Sequence, residues 1–169
     1  MDDDGILATV GAGPMRRWTA VGALGALAAL LAATGVEQML AASGTAAIMG
    51  AILTAAGALS AWGAVRMADA TGRTLVLTRD ALSDDRGEVL APLDRIARVD
   101  RGAFAFKPSS GFVLHLAEPM PRRWAPGLWW RTGTRVGVGG TLAARDARGM
   151  ADLITLVLAD RKGGGELSL

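Results

Sequence analysis

The chemistry-bearing residues of this chain crowd into one short segment. Arg122-Arg123-Trp124-Ala125-Pro126-Gly127-Leu128-Trp129-Trp130-Arg131 holds three of the five tryptophans and three arginines. With Arg135 added, the stretch carries four positive charges and no acid. Indoles favour the headgroup level of a bilayer and guanidinium groups favour phosphate. Three readings follow. The segment contacts anionic headgroups, it meets a partner protein, or Trp129 or Trp130 closes a core while the arginines stay solvated. Pro126-Gly127 rules out a regular amphipathic helix here.

Other candidates for chemistry are thin. The single histidine, His115, sits on a strand face opposite apolar neighbours and is expected to be partly exposed at the surface. Asp94, Asp100, Asp146 and Asp152 show no paired arrangement. Gly133-Thr134-Arg135-Val136-Gly137-Val138-Gly139-Gly140-Thr141 matches neither a Walker loop nor a dinucleotide fingerprint. It reads as a Gly-rich turn before a helix, with anion binding at that helix start as the lesser alternative. There is no cysteine, so disulfides, thiol catalysis and thiolate metal sites are excluded. No nucleophile–base pair emerges. We expect no enzyme, no cofactor and no metal.

These residues need elements to hold them, and the charge distribution divides the chain in two. Apolar types make up 51% and charged types 20%. Trp18–Val36 and Gln38–Val65 nevertheless contain no charge at all. A bilayer core of roughly 30 Å needs about 20 helical residues. The chain therefore predicts a transmembrane hairpin over 16–66, with spans at 18–36 and 43–65. The join is expected around Gly35, Glu37, Gln38, Ser43 and Gly44. Arg16 and Arg17 precede the first span, and Arg66 and Arg73 follow the second. Positive-inside bias then puts both flanks in the cytoplasm. Trp18 and Trp62 are expected at one common interface. Small residues four apart (Gly22/Ala26, Gly25/Ala29, Ala47/Ala51, Gly57/Ala61) suit close helix packing, within the hairpin or in a homodimer. Residues 1–15 read as a leader. Asp2, Asp3 and Asp4 argue against a signal peptide.

From about Gly72 the pattern is β-type. Strands are expected at Arg73–Thr78, Ala81–Ser83, Glu88–Ala91, Leu93–Asp100, Ala103–Lys107, Phe112–Leu116 and Arg135–Val138. Asp84-Asp85-Arg86-Gly87 and Pro108-Ser109-Ser110-Gly111 mark turns. Ala147, Met150, Ala151, Ile154, Val157 and Leu158 follow helical spacing, with Thr141 as a candidate N-cap and Gly163-Gly164-Gly165 as the stop. The part from Arg66 onward has 16 basic and 12 acidic residues, a net of +4. That excess lies in the Trp segment, so nucleic-acid binding is not expected.

Thr74-Leu75-Val76-Leu77-Thr78-Arg79-Asp80-Ala81-Leu82, then Gly87, then Pro92-Leu93-Asp94-Arg95-Ile96-Ala97-Arg98-Val99 resembles the bacterial pleckstrin-homology-like (PH-like) membrane proteins. The likeness covers about Gly72–Leu116, and the closing helix by order only. It implies an α+β chain: a two-helix membrane hairpin, then a PH-like bent sheet or open barrel over 72–160, capped by the C-terminal helix, with a tail at 161–169. It implies placement at the cytoplasmic face of the bacterial inner membrane but no activity. Basic residues do not cluster at the first hairpin, so a eukaryotic-type phosphoinositide site is not expected. The expected role is binding or scaffolding, with the lipid bilayer, anionic headgroups and an unnamed membrane protein or second copy as partners. A subunit role in a larger membrane complex is the alternative.

Overall fold

The structure is a computed structural model that describes residues 5–41, 43–101 and 111–163. The expected strand at Ala103–Lys107, the Pro108–Ser110 turn, the acidic run Asp2–Asp4 and the tail beyond Gly163 lie outside these residues. The chain forms two compact units, one of residues 14–69 and one of 1–13 with 70–169.

The first unit is a helical hairpin of α1 (Pro14–Ala41) and α2 (Thr45–Ala70). Both helices are long and apolar enough to cross a membrane, and only 11% and 17% of their most apolar windows are buried. Leu30, Leu40, Ile48, Ile52, Leu59 and Val65 all face outward. The join is shorter than the sequence suggests. Gly35, Glu37 and Gln38 continue α1, and Gly44, with φ +68°, makes the turn. Gly35 does not break the helix because it is a packing position. A Cβ there would lie 2.6 Å from the Gly50 carbonyl, and one at Gly57 would lie 2.8 Å from the Ala32 amide. Gly50, Gly57 and Ala64 recur every seven residues, the period of a helix–helix seam. Of the predicted small-residue pairs, only the Gly57 position lies in this seam. Gly22 and Gly25 meet nothing within 4 Å.

The second unit begins before the hairpin, in residues that the sequence reads as a leader. β1 (Ile6–Gly11) pairs antiparallel with β2 (Thr74–Thr78), from Ile6 opposite Thr78 to Gly11 opposite Thr74. β3 (Ala81–Asp84) and β4 (Val89–Pro92) complete a four-stranded sheet in the order β1-β2-β3-β4. The β3–β4 turn falls at Asp84–Gly87 as expected. The buried Asp84 carboxylate accepts the Arg86 and Glu88 amides at 3.1 and 2.9 Å and pairs with Arg73 at 3.0 Å.

After a short 3-10 turn, β5 (Ile96–Asp100), β6 (Phe112–Ala125) and β7 (Trp129–Val138) form a separate three-stranded sheet. The two sheets do not close into a barrel. α3 (Ala144–Gly163) packs on β1, β5 and β6 through Ala147, Met150, Ala151 and Ile154. Leu75, Leu77, Leu82, Leu90, Phe112, Leu114 and Val136 fill the core. Alternation explains β2: Leu75 and Leu77 turn inward while Thr74, Val76 and Thr78 remain partly exposed. Thr141 does not cap α3. It is committed to the β6–β7 turn, where its hydroxyl donates to the Gly127 carbonyl at 2.8 Å.

Candidate functional site

The Trp/Arg segment is a β-hairpin tip, because β6 and β7 both run well past the strand ends expected from sequence. Gly127, with φ +75°, turns the chain between them. The hairpin then curls back on its own base. The Leu128 carbonyl accepts the Gly139 amide at 3.0 Å, and the Gly127 carbonyl accepts the Thr141 amide at 2.9 Å. Register shifts in β6 and the left-handed Gly133 (φ +56°) permit the bend. Trp130 and Gly137 would stand roughly 23 Å apart on a straight strand. Here they touch, and a Cβ on Gly137 would lie 2.3 Å from the indole ring.

Strand alternation divides the candidate residues into two sets. Trp129 turns inward and is 3% exposed, so it belongs to the core, not to a surface. Arg131, two residues on, is also 3% exposed. This corrects the expectation of an interface arginine and equally that of a solvated one. Its Nε donates to the Pro121 carbonyl at 2.8 Å, Nη1 to the Val89 and Leu90 carbonyls, and Nη2 to Glu88 Oε1 at 3.2 Å. The guanidinium thus rivets the β4 edge to the β6–β7 hairpin. It also lies 6.0 Å from the Trp129 ring centroid.

The outward set is Arg122, Trp124 and Trp130; Arg123, in register with Arg131, shares that residue's face but is itself exposed. Trp124 and Trp130 are direct cross-strand partners, and Trp124 is 64% exposed. With Thr132 and both arginines they line an open depression of about 290 Å³. Arg123 lies 3.7 Å from Glu88, whereas Arg122 makes no hydrogen bond or ion pair among the described residues. Arg135 is also exposed, on β7 opposite His115. In the hairpin unit, Trp18 and Trp62 are both outward, with Arg17 over Trp18 at 5.0 Å and Arg66 over Trp62 at 5.6 Å. Arg17 reaches the Ala68 carbonyl and Leu24 abuts Gly63, so Trp18 and Trp62 are offset by about 10 Å along the helix pair.

His115 is partly exposed, as expected, and stands in register with Arg98 on one side and Arg135 on the other. Its Nε2 lies 3.4 Å from Arg98 Nη2 and 3.8 Å from Asp100 Oδ2. Burial, then the charges of Arg98 and Arg135, hold its pKa below the ordinary value, against a weaker upward pull from Asp100. The register of β5, β6 and β7 was the missing signal, since no linear spacing brings these residues together. No group of three metal-ligating side chains occurs among the described residues. No protein-family model, curated protein or solved structure matches the chain.

Proposed function

We propose that this chain is a membrane-anchored, non-enzymatic binding module with a PH-like domain at the cytoplasmic face of a bacterial inner membrane. The observation that carries the reading is the β1–β2 pairing. The strand before α1 and the strand after α2 share one sheet, so both flanks of a membrane-inserted hairpin would have to lie on one side of the bilayer. Arg16, Arg17, Arg66 and Arg73 on those flanks favour the cytoplasmic side. Four strands, then three, then a closing helix support the PH-like reading, as does the resemblance around Thr74–Val99. Trp124 and Trp130 beside Arg122 and Arg123 form the surface best suited to anionic headgroups.

The chain lacks cysteine, so single introduced thiols test the topology directly. Ser43→Cys at the hairpin turn is expected to react with an impermeant maleimide on intact spheroplasts. Arg86→Cys in the β3–β4 turn is expected to react only after lysis. The opposite pattern, or release of the protein by alkaline carbonate, would overturn the reading. The uncovered Gly22 and Gly25 favour the alternative of a subunit in a larger membrane complex, in which other helices seat on α1. Crosslinking to a defined partner from Gly22→Cys would select that alternative.

A further inference from the structure

Three basic side chains stand in one row across the second sheet. Arg98 on β5 is directly opposite His115 on β6, which is directly opposite Arg135 on β7. Directly opposed side chains share a sheet face, so Arg98 and Arg135 flank His115 on its two sides. One carboxylate, Asp100, stands 3.8 Å from His115. Among the described residues Arg135 makes no hydrogen bond or ion pair, and the hydrogen-bonding partner of Arg98 is His115. The His115 Nε2 lies 3.4 Å from Arg98 Nη2 and 3.8 Å from Asp100 Oδ2, so the ring stands between a guanidinium and a carboxylate. The adjacent row on the same face is Asp100, Val113 and Gly137. Gly137 has no side chain, and the Trp130 ring occupies that space. An indole wall thus stands beside the row.

We propose that the Arg98–His115–Arg135 row binds a phosphate-monoester-type anion. Arg98 and Arg135 donate to its oxygens from either side, and His115 lies between them. Two planar forks around a central ring nitrogen suit a group with three acceptor oxygens and up to two charges better than a single carboxylate. The anion's source is either a lipid phosphate or a phosphate in solution. The inference rests on the reading of this domain as a binding module, and not on its membrane anchoring.

His115 is the chain's single histidine, so its ring resonances need no assignment. The full, untagged chain is placed in phosphatidylcholine nanodiscs and the ring is followed by NMR against pH. One arm adds inorganic phosphate at constant ionic strength, and the other replaces part of the lipid with phosphatidic acid. An opposite charge within a few ångströms of the ring favours its protonated form. The titration midpoint is therefore expected to rise by about one pH unit, saturably. A response to inorganic phosphate identifies a soluble ligand, and a response to phosphatidic acid alone identifies a lipid one. Arg98→Gln with Arg135→Gln is expected to abolish the shift while near-UV circular dichroism stays unchanged. A midpoint unmoved in both arms, or moved equally in the double variant, would overturn the proposal. Phosphate release from a soluble monoester would overturn the non-enzymatic reading and leave the site standing. A contrary maleimide pattern would overturn the anchoring alone.

Discussion

Replacing Arg131 by Leu removes the donor for three backbone carbonyls, those of Pro121, Val89 and Leu90, and for Glu88. Hydrogen bonds from a charged donor contribute about 1.5–3 kcal/mol each. Those contributions are not additive, and breaking a buried charged cluster from one side costs about 3–5 kcal/mol in total. The Glu88 side chain is 32% exposed and regains water, so it adds little to this loss. The expected loss is therefore about 3–5 kcal/mol, a large part of a domain stability of about 5–15 kcal/mol. That corresponds to a fall of roughly 10–20 °C in melting midpoint. The assay is thermal unfolding of the full chain in non-ionic detergent, followed by near-UV circular dichroism of the tryptophans. Arg131→Lys is expected to lose about 2 kcal/mol, because one ammonium cannot reach acceptors spread around a planar fork. Arg122→Leu, at the exposed end of the same segment, is expected to stay within about 0.5 kcal/mol. Equal losses for Arg131→Leu and Arg122→Leu, or a loss below about 1 kcal/mol for the former, would refute the rivet.

Gly57→Leu drives a side chain into the Ala28 and Ala32 backbone and is expected to destabilise the hairpin by about 1–3 kcal/mol. Gly22→Leu, with open space around it, is expected to be neutral; helical content against denaturing detergent separates the two. The lowered pKa of His115 gives a pH dependence with a definite sign. The unfolded chain takes up this proton in the ordinary histidine range, and the folded chain does so only at lower pH. The unfolded state then binds more protons in between, so stability falls as pH drops through that range and levels off below the folded value. His115→Asn is expected to flatten this slope in urea titrations between pH 5 and pH 7.5, to be checked at each pH (about the histidine window).

What was legible in the sequence follows from periodicity. The uncharged runs marked α1 and α2, alternation marked β2, and the spacing of Met150 and Ile154 marked α3. β1 was missed because Ile6–Gly11 is short and lies far in sequence from its partner strand. In the Trp/Arg segment surface contact and core closure by Trp129 or Trp130 stay open in the sequence, because Pro126-Gly127 hides two strands. Once Trp129, Trp130 and Arg131 are placed on a strand, alternation alone sends the first and third to one face and the second to the other. Counting charges could not distinguish Arg131 from Arg122. Gly35 shows the reverse error, since a glycine that suggests a helix end was instead the closest approach between two helices.

The pairing of β1 with β2 also sets an order of events during synthesis. β1 leaves the ribosome first and has no partner until Thr74–Thr78 emerges, about 60 residues later. At about 5–20 residues per second, that is a wait of roughly 3–12 s. In this interval both helices are made and the unpaired strand stays available to chaperones and proteases. The first sheet therefore cannot be completed until the helical hairpin has been made.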